Sequence, residues 1–265
     1  MTTPLMLGAV VGDIAGSIFE QQNDKREDIA LFETGSRFTD DTVMTLASAD
    51  KHLYGGRYED VYQQWGRRYP DAGYGGTFIR WLATHDPKPY NSWGNGSAMR
   101  VSPIGWLKET LEETLAEAEA SAAVSHSHPE GIRGAKAIAG AVFLARNGAG
   151  KNGIRVFLEA MIGYDLSRKL DDIRPDYSFD VSCQKSVPEA CTAFLESDSV
   201  EDAIRKAISL GGDSDTIACI AGAIAHAHFQ EIPEWMRQAC QDILPRELSI
   251  IQSEFIERYV IPNTY

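Results

Sequence analysis

The sequence predicts an all-α protein, and three observations support that prediction. Apolar residues recur at the 3.6-residue spacing of a helix along most of the chain, whereas the alternating patterns typical of strands are few and short. Three of the helical segments consist almost wholly of alanine, glycine, isoleucine and valine, a composition typical of buried helices. One of these three also carries glycines at four-residue intervals. We therefore expect a compact orthogonal bundle with small-residue helices at its centre and amphipathic helices outside.

Helical spacing occurs in seven segments. They are residues 5–20, 42–54, 107–126, 131–146, 187–197, 200–209 and 215–229. The helices expected to be buried lie at 6–20, 132–146 and 216–228, and residues 107–123 are amphipathic. Gly8, Gly12 and Gly16 form a bare stripe on one face of the first helix, which predicts the close approach of another helix backbone.

Length and charge narrow the class of protein. With 265 residues and no linker, repeat or low-complexity tract, the chain is expected to form a single domain over residues 1–265. Its 38 acidic and 25 basic residues give a formal charge of -13, which argues against general binding to nucleic acid or to an anionic membrane. A small anionic ligand would then need a metal ion or backbone N–H groups to hold it.

Apolar runs and cysteines in the sequence indicate where in the cell the protein is expected. No apolar run approaches the roughly 18 residues that a membrane span requires. The apolar stretch at residues 5–11 follows no basic residue and is interrupted by Asp13, so we expect it to belong to the mature fold and not to a signal peptide. The four cysteines show neither CxxC spacing nor a disulfide framework, which argues against a structural zinc site. We expect a cytoplasmic protein, with a monomer favoured.

Two helices begin with nearly the same acidic sequence, FTDDT at residues 38–42 and GGDSDT at residues 211–216. Either one alone is explained by capping, with Thr39 or Asp213 as the N-cap and the acids at the positive end of the helix dipole. The second helix, however, has no polar face that would lift its start into solvent. Asp213 and Asp215 are therefore expected at the edge of the core, where carboxylates must be paired, neutralised or metal-bound.

No lysine or arginine lies nearer to the second cluster in sequence than Lys206. If the two acidic helix starts converge, they form a cation site, because carboxylate and threonine oxygens suit Mg²⁺, Mn²⁺ or Ca²⁺ and not Zn²⁺. Glu20, at the end of the first buried helix, is a third acidic component, with a solvated helix end as the simple alternative. The sequence therefore predicts a hard-cation site built from distant segments.

Two glycine-rich loops and a histidine pair are candidate ligand contacts. The loops are GNGSAMRVSPIG at residues 94–105 and DAGYGGTF at residues 71–78, and such loops expose N–H groups that bind phosphate, although each also suits an ordinary turn. His126 and His128 in SHSHPEG precede a buried helix. Each of these histidines either contacts a phosphate or caps and packs against that helix.

Together these motifs resemble the ADP-ribosylglycohydrolase family, which includes dinitrogenase reductase-activating glycohydrolase. They occur in the order GDIAGSIFE, FTDDT, YGGT, GNGSAMRVSPIG, SHSHPEG and GGDSDT. The resemblance spans residues 8 to about 230, and GNGSAMR followed by GGDSDT is its most specific part. It implies an all-helical fold with two Mg²⁺ or Mn²⁺ ions at the bottom of an ADP-ribose cleft.

The resemblance also implies roles for individual residues. The implied metal ligands are Thr39, Asp40, Asp41, Asp213, Asp215 and Thr216, with Asp215 between the two ions. Glu20 and Asp41 are the implied catalytic residues. The implied substrate contacts are Gly96, Ser97 and Ala98 at the diphosphate, His126 at the ligand, and Tyr74 and Gly75 beside the distal ribose. Only 18 residues separate Glu20 from Thr39, so the loop on the acceptor side is short.

The implied reaction is hydrolysis of the glycosidic bond between ADP-ribose and an acceptor, such as an arginine or serine side chain or another ADP-ribosylated target. Its transition state has oxocarbenium character, and the cations orient the ribose hydroxyls and a water while a carboxylate such as Glu20 moves a proton. Two alternatives stay open. One is a related two-metal hydrolase of another nucleotide-sugar or of a phosphoester, and the other is a non-catalytic ADP-ribose binder.

Overall fold

A computed structural model describes residues 7–20 and 22–260. This part of the chain contains fifteen α-helices and two short π-helical segments, joined by turns and loops. The first eight helices are α1 (Gly8–Gly16), α2 (Asp40–Tyr54), α3 (Tyr58–Arg68), α4 (Gly76–Ala83), α5 (Gly96–Met99), α6 (Ser102–Leu107), α7 (Leu111–Ala123) and α8 (Pro129–Arg146). The others are α9 (Lys151–Val156), α10 (Leu170–Ile173), α11 (Cys183–Leu195), α12 (Val200–Ile208), α13 (Ser214–Phe229), α14 (Glu234–Gln241) and α15 (Arg246–Phe255). The π-helical segments are Phe157–Ile162 and Ile256–Val260.

The all-α prediction is confirmed. Within residues 7–20 and 22–260 there is no β-strand, and only one isolated antiparallel bridge joins Gly94 to Ser182. None of the helices in that part of the chain has the length and apolar composition needed to cross a membrane. The single-domain organisation and the monomeric state stay predictions.

The centre of the molecule is α13 packed against α1. All nine residues of α1 are buried, and α13 is buried from Ser214 through Ala227. The glycine stripe makes this pairing possible, because a Cβ atom on each glycine would lie within 2.5 Å of a carbonyl oxygen of α13. The pairs are Gly8 with Gly222, Gly12 with Ala218, and Gly16 with Ser214. The helices therefore run antiparallel with their backbones in contact, and the end of α1 meets the start of α13.

Several helix boundaries differ from those predicted. The first helix ends at Gly16, and Glu20 follows in a turn in which the N–H of Phe19 donates to the Gly16 carbonyl. Residues 5 and 6 of that prediction lie outside the described residues. The amphipathic helix predicted from residue 107 begins at Leu111, because Thr110 forms a capping box with Glu113.

Candidate metal centre and ligand cleft

Thr39 caps the start of α2 and places the first acidic pair. Its hydroxyl oxygen accepts a hydrogen bond from the N–H of Asp41, and the next two residues, Asp40 and Asp41, form the first turn. The N–H of Asp40 donates to the carbonyl of Ala72 at 2.8 Å, which joins this turn to the glycine-rich loop before α4. Asp41 is buried, whereas Asp40 is partly exposed.

Asp13, in the middle of α1, holds this helix start in position. Its carboxylate accepts hydrogen bonds from the N–H and hydroxyl of Thr39, at 2.9 and 2.7 Å, and from the N–H and hydroxyl of Thr42, at 3.0 and 2.5 Å. The residue is fully buried. Four donors therefore partly offset the burial of this carboxylate, and they attach the start of α2 to α1.

The second acidic helix start depends on two glycines. Gly211 and Gly212 have φ of 68° and 69°, a left-handed conformation that side chains other than glycine rarely adopt. This turn places Asp213 at the N-cap position of α13, where its Oδ2 accepts a 2.6 Å hydrogen bond from the side-chain amide of Asn95. Asp215 follows in the first turn and is buried. The GGDSDT sequence thus turns two carboxylates inward.

The two acidic helix starts converge, as the sequence predicts. The carboxylate oxygens of Asp13, Asp41 and Asp215 lie within 4.8 Å of one another, and so do those of Glu20, Asp213 and Asp215. The hydroxyl of Thr216 donates to Asp41 Oδ2 at 3.1 Å, which joins α13 to α2 directly. Asp215 belongs to both groups, so the arrangement has two adjacent oxygen clusters that share one carboxylate.

The carboxyls of these clusters have raised pKa values, because they are buried close to one another without a neighbouring positive charge among the described residues. Burial raises the pKa of Asp13, and burial together with neighbouring carboxylates raises the pKa of Asp40, Asp41 and Asp215 well above the usual range. Burial also raises the pKa of Asp213 to about 6, although the Asn95 amide opposes it. Within residues 7–20 and 22–260, no lysine or arginine forms an ion pair with these five residues.

The donor set fits divalent cations. Asp41 Oδ1 is buried and has no hydrogen-bond partner among the described residues, which leaves a carboxylate oxygen available as a ligand. Thr39 and Thr216 donate their hydroxyl hydrogens to Asp13 and Asp41 respectively, and the Thr39 oxygen also accepts from the N–H of Asp41. At least one lone pair on each threonine oxygen is therefore available to a cation. Hard oxygen ligands of this kind suit Mg²⁺ or Mn²⁺.

Above the acidic clusters lies a cleft of about 500 Å³. Ten of the residues proposed from the sequence line it, namely Glu20, Thr39, Asp40, Asp41, Gly75, Gly96, His126, Asp213, Asp215 and Thr216. Aromatic and apolar side chains line other parts of its wall, among them Phe78, Tyr90, Phe179 and Val181. The cleft therefore has an acidic end and a wall of aromatic, apolar and glycine residues, a form that suits an elongated ligand with polar and flat parts.

Four other residues considered from the sequence do not line the cleft. The hydroxyl of Ser97 donates to the Gly131 carbonyl, and Ala98 is fully buried. Tyr74 is buried, with a hydroxyl that has no partner among the described residues. His128 accepts a hydrogen bond from the N–H of Glu130 and so caps α8. Any ligand contact by Ser97 or Ala98 would therefore come from the backbone, and the roles of these residues stay predictions.

Three residues of the site were not identified from the sequence, and two of them carried a recognisable signal. Asp13 is a single carboxylate within an otherwise apolar helix, which by itself requires buried partners. Asn95 stands inside the GNGSAMR motif, between two glycines that favour a tight turn. Arg100, the last residue of that motif, is almost fully buried and lines the cleft, and no property of the sequence distinguishes it from a surface arginine.

The fold and this site define an all-α protein with a carboxylate-rich, glycine-lined cleft. A comparison with protein-family models gives the particular family: the model described as ADP-ribosylglycohydrolase matches residues 3–260. The chain belongs to the ADP-ribosylglycohydrolase family.

Similar proteins agree with this assignment. The chain is 26% identical to "ADP-ribosylhydrolase ARH3" of Mus musculus, over 94% of this chain and 91% of that protein. It is also 26% identical to "ADP-ribosylarginine hydrolase Tri1" of Pseudomonas putida, over 88% of this chain and 72% of that protein. A solved structure titled "ADP-ribosylglycohydrolase-related protein complex" shares the fold, with a TM-score of 0.73, 22% identity and 94% of each chain covered.

Proposed function

We propose that this chain is a metal-dependent hydrolase that cleaves the glycosidic bond between ADP-ribose and an acceptor. The observation that carries the proposal is the convergence of two carboxylate clusters that share Asp215, directly below a cleft. Relatives named as ADP-ribosylhydrolases over nearly their full length support ADP-ribose as the sugar nucleotide. The acceptor is a protein side chain, such as arginine or serine, or another ADP-ribosylated target.

We propose that two divalent cations, Mg²⁺ or Mn²⁺, bind at the acidic end of the cleft. Their ligands would be the oxygens of Thr39, Asp40, Asp41, Asp213, Asp215 and Thr216. Asp13 orients this set, because its carboxylate already accepts four hydrogen bonds that fix Thr39 and Thr42. When bound, such cations supply Lewis-acid charge that promotes ionisation of water and orients sugar hydroxyls.

Glu20 is the proposed proton-transfer group. It is partly exposed, lines the cleft, and lies beside Asp213 and Asp215. Glu20 lies in the turn that follows the end of α1, and this turn brings its carboxylate to the cleft. It takes a proton from the attacking water or handles the leaving acceptor, and Asp41 orients the same reaction centre from α2.

The opposite wall holds the ADP part of the ligand. The N–H groups of Ala98 and Met99 both donate to the Asn95 carbonyl, so the N–H groups of Gly96 and Ser97 precede the first hydrogen-bonded turn. These N–H groups, together with His126, would bind the diphosphate, and Gly75 lies beside the ribose. Neutral donors of this kind let a chain with a net charge of -13 bind a doubly anionic ligand.

Product analysis tests this function. The purified protein is incubated with peptides ADP-ribosylated on arginine or on serine, with Mg²⁺, with Mn²⁺ and with chelator. We expect free ADP-ribose, produced only with metal, and loss of activity in Asp41→Asn. Asp60→Asn is the matched control, because Asp60 is exposed in the first turn of α3 and does not line the cleft.

Other products would favour another function. Release of AMP or inorganic phosphate would indicate a related two-metal hydrolase, and ADP-ribose binding without any release would indicate a non-catalytic binder. Full turnover in chelator would contradict the metal requirement. We also propose a cytoplasmic location, because all four cysteines are free and buried, as suits a reducing compartment.

A further inference from the structure

Arg100 is an almost fully buried cation in the wall of the cleft. It is 1% exposed, and its guanidinium lies 4.3 Å from the centre of the Tyr62 ring. Its Nη2 donates to the carbonyl of Ser121 at 2.7 Å and to the hydroxyl oxygen of Ser125 at 3.0 Å. Since a guanidinium is always a donor, the Ser125 hydroxyl oxygen must act as the acceptor in this second bond.

The Ser125 hydroxyl, which accepts a hydrogen bond from Arg100, also contacts the ring of His126. Ser125 Oγ lies 2.8 Å from His126 Nδ1, and both residues are buried. One lone pair of Oγ accepts from Arg100, so its hydrogen is available to Nδ1. In the opposite arrangement, Nδ1–H would donate to Oγ, and the buried serine hydrogen would have no acceptor among the described residues. An unsatisfied buried donor is costly, so the first arrangement is favoured.

The other edge of the His126 ring faces the glycine-rich loop. A Cβ atom on Gly96 would lie 3.1 Å from His126 Nε2, and one on Gly94 would lie 3.6 Å away. His126 lines the cleft, with Tyr90 and Phe78 against its ring. Burial, assisted by the charge of Arg100, holds the pKa of His126 well below its usual range, so the ring is neutral at physiological pH.

We propose that Arg100 and Ser125 are positioning residues that fix His126 as the tautomer with its hydrogen on Nε2. The cleft then presents one oriented, uncharged N–H donor at the loop proposed to hold the diphosphate. Only the identity of the ligand oxygen that accepts from this donor rests on the proposed function. The tautomer follows from Arg100, Ser125 and His126 alone.

Nitrogen NMR of the ligand-free protein tests the tautomer directly. In a neutral imidazole the protonated and unprotonated ring nitrogens have well separated ¹⁵N resonances, and the six histidines can be distinguished by the loss of one set in His126→Gln. We expect His126 to show a protonated Nε2 and a hydrogen-bonded, unprotonated Nδ1. A proton on Nδ1 would overturn the proposal, whether or not ADP-ribose binds.

Variants of Ser125 test its positioning role. In Ser125→Ala the ring loses its anchor, so the Nδ1 resonance should shift and ADP-ribose should bind about fivefold more weakly, the value of one ordinary hydrogen bond. Ser125→Thr should restore both properties. Ser121→Ala is the matched control, because it removes a buried hydroxyl in α7, the helix that ends just before Ser125. This hydroxyl bonds Tyr62 and not His126.

Each outcome decides the proposal. It is supported if only Ser125→Ala changes the His126 resonances and the affinity. It is overturned if Ser125→Ala leaves the resonances unchanged, or if Ser121→Ala changes them equally. If the wild-type protein fails to bind ADP-ribose, the proposed function fails, and the resonances still decide the tautomer.

Discussion

Asp13 and Asp215 are both buried carboxylates, but they have different surroundings. Asp13 accepts four hydrogen bonds, two of them from hydroxyls and two from backbone N–H groups. Asp215 accepts one from the N–H of Thr216 and otherwise faces other carboxylates. Asp13 therefore has four hydrogen-bond donors within the protein and Asp215 has one, which is consistent with the proposed cation beside Asp215.

Asp13→Asn should destabilise the protein. An asparagine has only one acceptor oxygen, and its amide would point hydrogens at the donors of Thr39 or Thr42. We expect a loss of about 2–4 kcal/mol in the free energy of unfolding, the range for broken buried hydrogen bonds to a charged group. Urea denaturation in chelator measures this loss. Stability equal to that of wild type would show that the four hydrogen bonds are not needed to hold α2.

Asp215→Asn should leave the metal-free protein as stable as wild type, or more stable by about 1 kcal/mol, because one repelling charge is removed. Activity should collapse, and the rise in melting temperature on adding Mg²⁺ or Mn²⁺ should shrink. Thermal melts with and without metal measure both stability effects. An earlier melt without metal would indicate that Asp215 serves as a helix cap, and activity at the wild-type rate would remove its proposed role.

At the residue scale, the sequence predicted ten of the residues that line the cleft, since acids at helix starts and glycine-rich loops leave a readable pattern. It did not identify Arg100, whose burial depends on Tyr62, Ser121 and Ser125. These partners come from separate parts of the chain that meet only in the folded protein. No short stretch of sequence therefore indicates that Arg100 is buried.

At the scale of elements, we expect any side chain at Gly12 to disrupt the contact between α1 and α13. A Cβ atom there would lie 2.1 Å from the Ala218 carbonyl oxygen, so Gly12→Ala must separate two backbones. We expect a loss of about 3 kcal/mol or more, at the upper end for overpacked cores, together with weaker metal binding.

Gly153→Ala is the control for this substitution. Gly153 lies within α9, and the nearest atom to an added Cβ is 3.8 Å away, on Ala149. Its replacement should be neutral or stabilising by about 0.5–1 kcal/mol, because alanine favours helix. Denaturant titrations of both variants measure the difference. Equal stability of the two variants would contradict the proposed close contact of α1 and α13.

The buried helices were predicted from their composition, which is almost wholly small and apolar. The apolar sequences of α1, α8 and α13 identified them as buried, and the glycine stripe identified a close helix contact. The helices α3 and α4 were not predicted, although the buried residues Tyr58, Val61, Tyr62 and Trp65 of α3 have the helical spacing. Helix α11 begins at Cys183, four residues before the predicted start at residue 187. Pro188 is tolerated inside α11 because the carbonyl left unpaired belongs to Gln184, an exposed residue.

At the scale of the whole molecule, the acidic clusters should control how stability depends on pH. Asp40, Asp41 and Asp215 have folded pKa values well above their unfolded values, so they contribute stability at low pH that is lost as pH rises through the folded pKa. Buried histidines act in the opposite direction. Burial lowers the pKa of His52 and His226 to about 4, and their contribution is complete above the unfolded value of about 6.5.

Between about pH 7 and pH 8.5 the histidine contribution no longer changes, so a further loss of stability with rising pH would come from carboxyls whose pKa is raised. We expect the melting temperature of the metal-free protein to fall over this interval, and to fall less in Asp215→Asn. Melts in chelator across this interval measure both slopes. A flat profile for the wild-type protein would show that the carboxyls are already ionised at neutral pH.

The hydrogen bond from Thr216 to Asp41 joins residues that are 175 positions apart in the chain. Neither half of the proposed cation site exists on its own, so a folding chain would bind metal only after α13 has docked onto α1 and α2. Cations would then stabilise the native state but not the transition state, and they should slow unfolding while leaving the refolding rate nearly unchanged. Stopped-flow unfolding and refolding with and without Mg²⁺ measure the two rates. Faster refolding with metal would mean that the acidic helix starts meet before the bundle is complete.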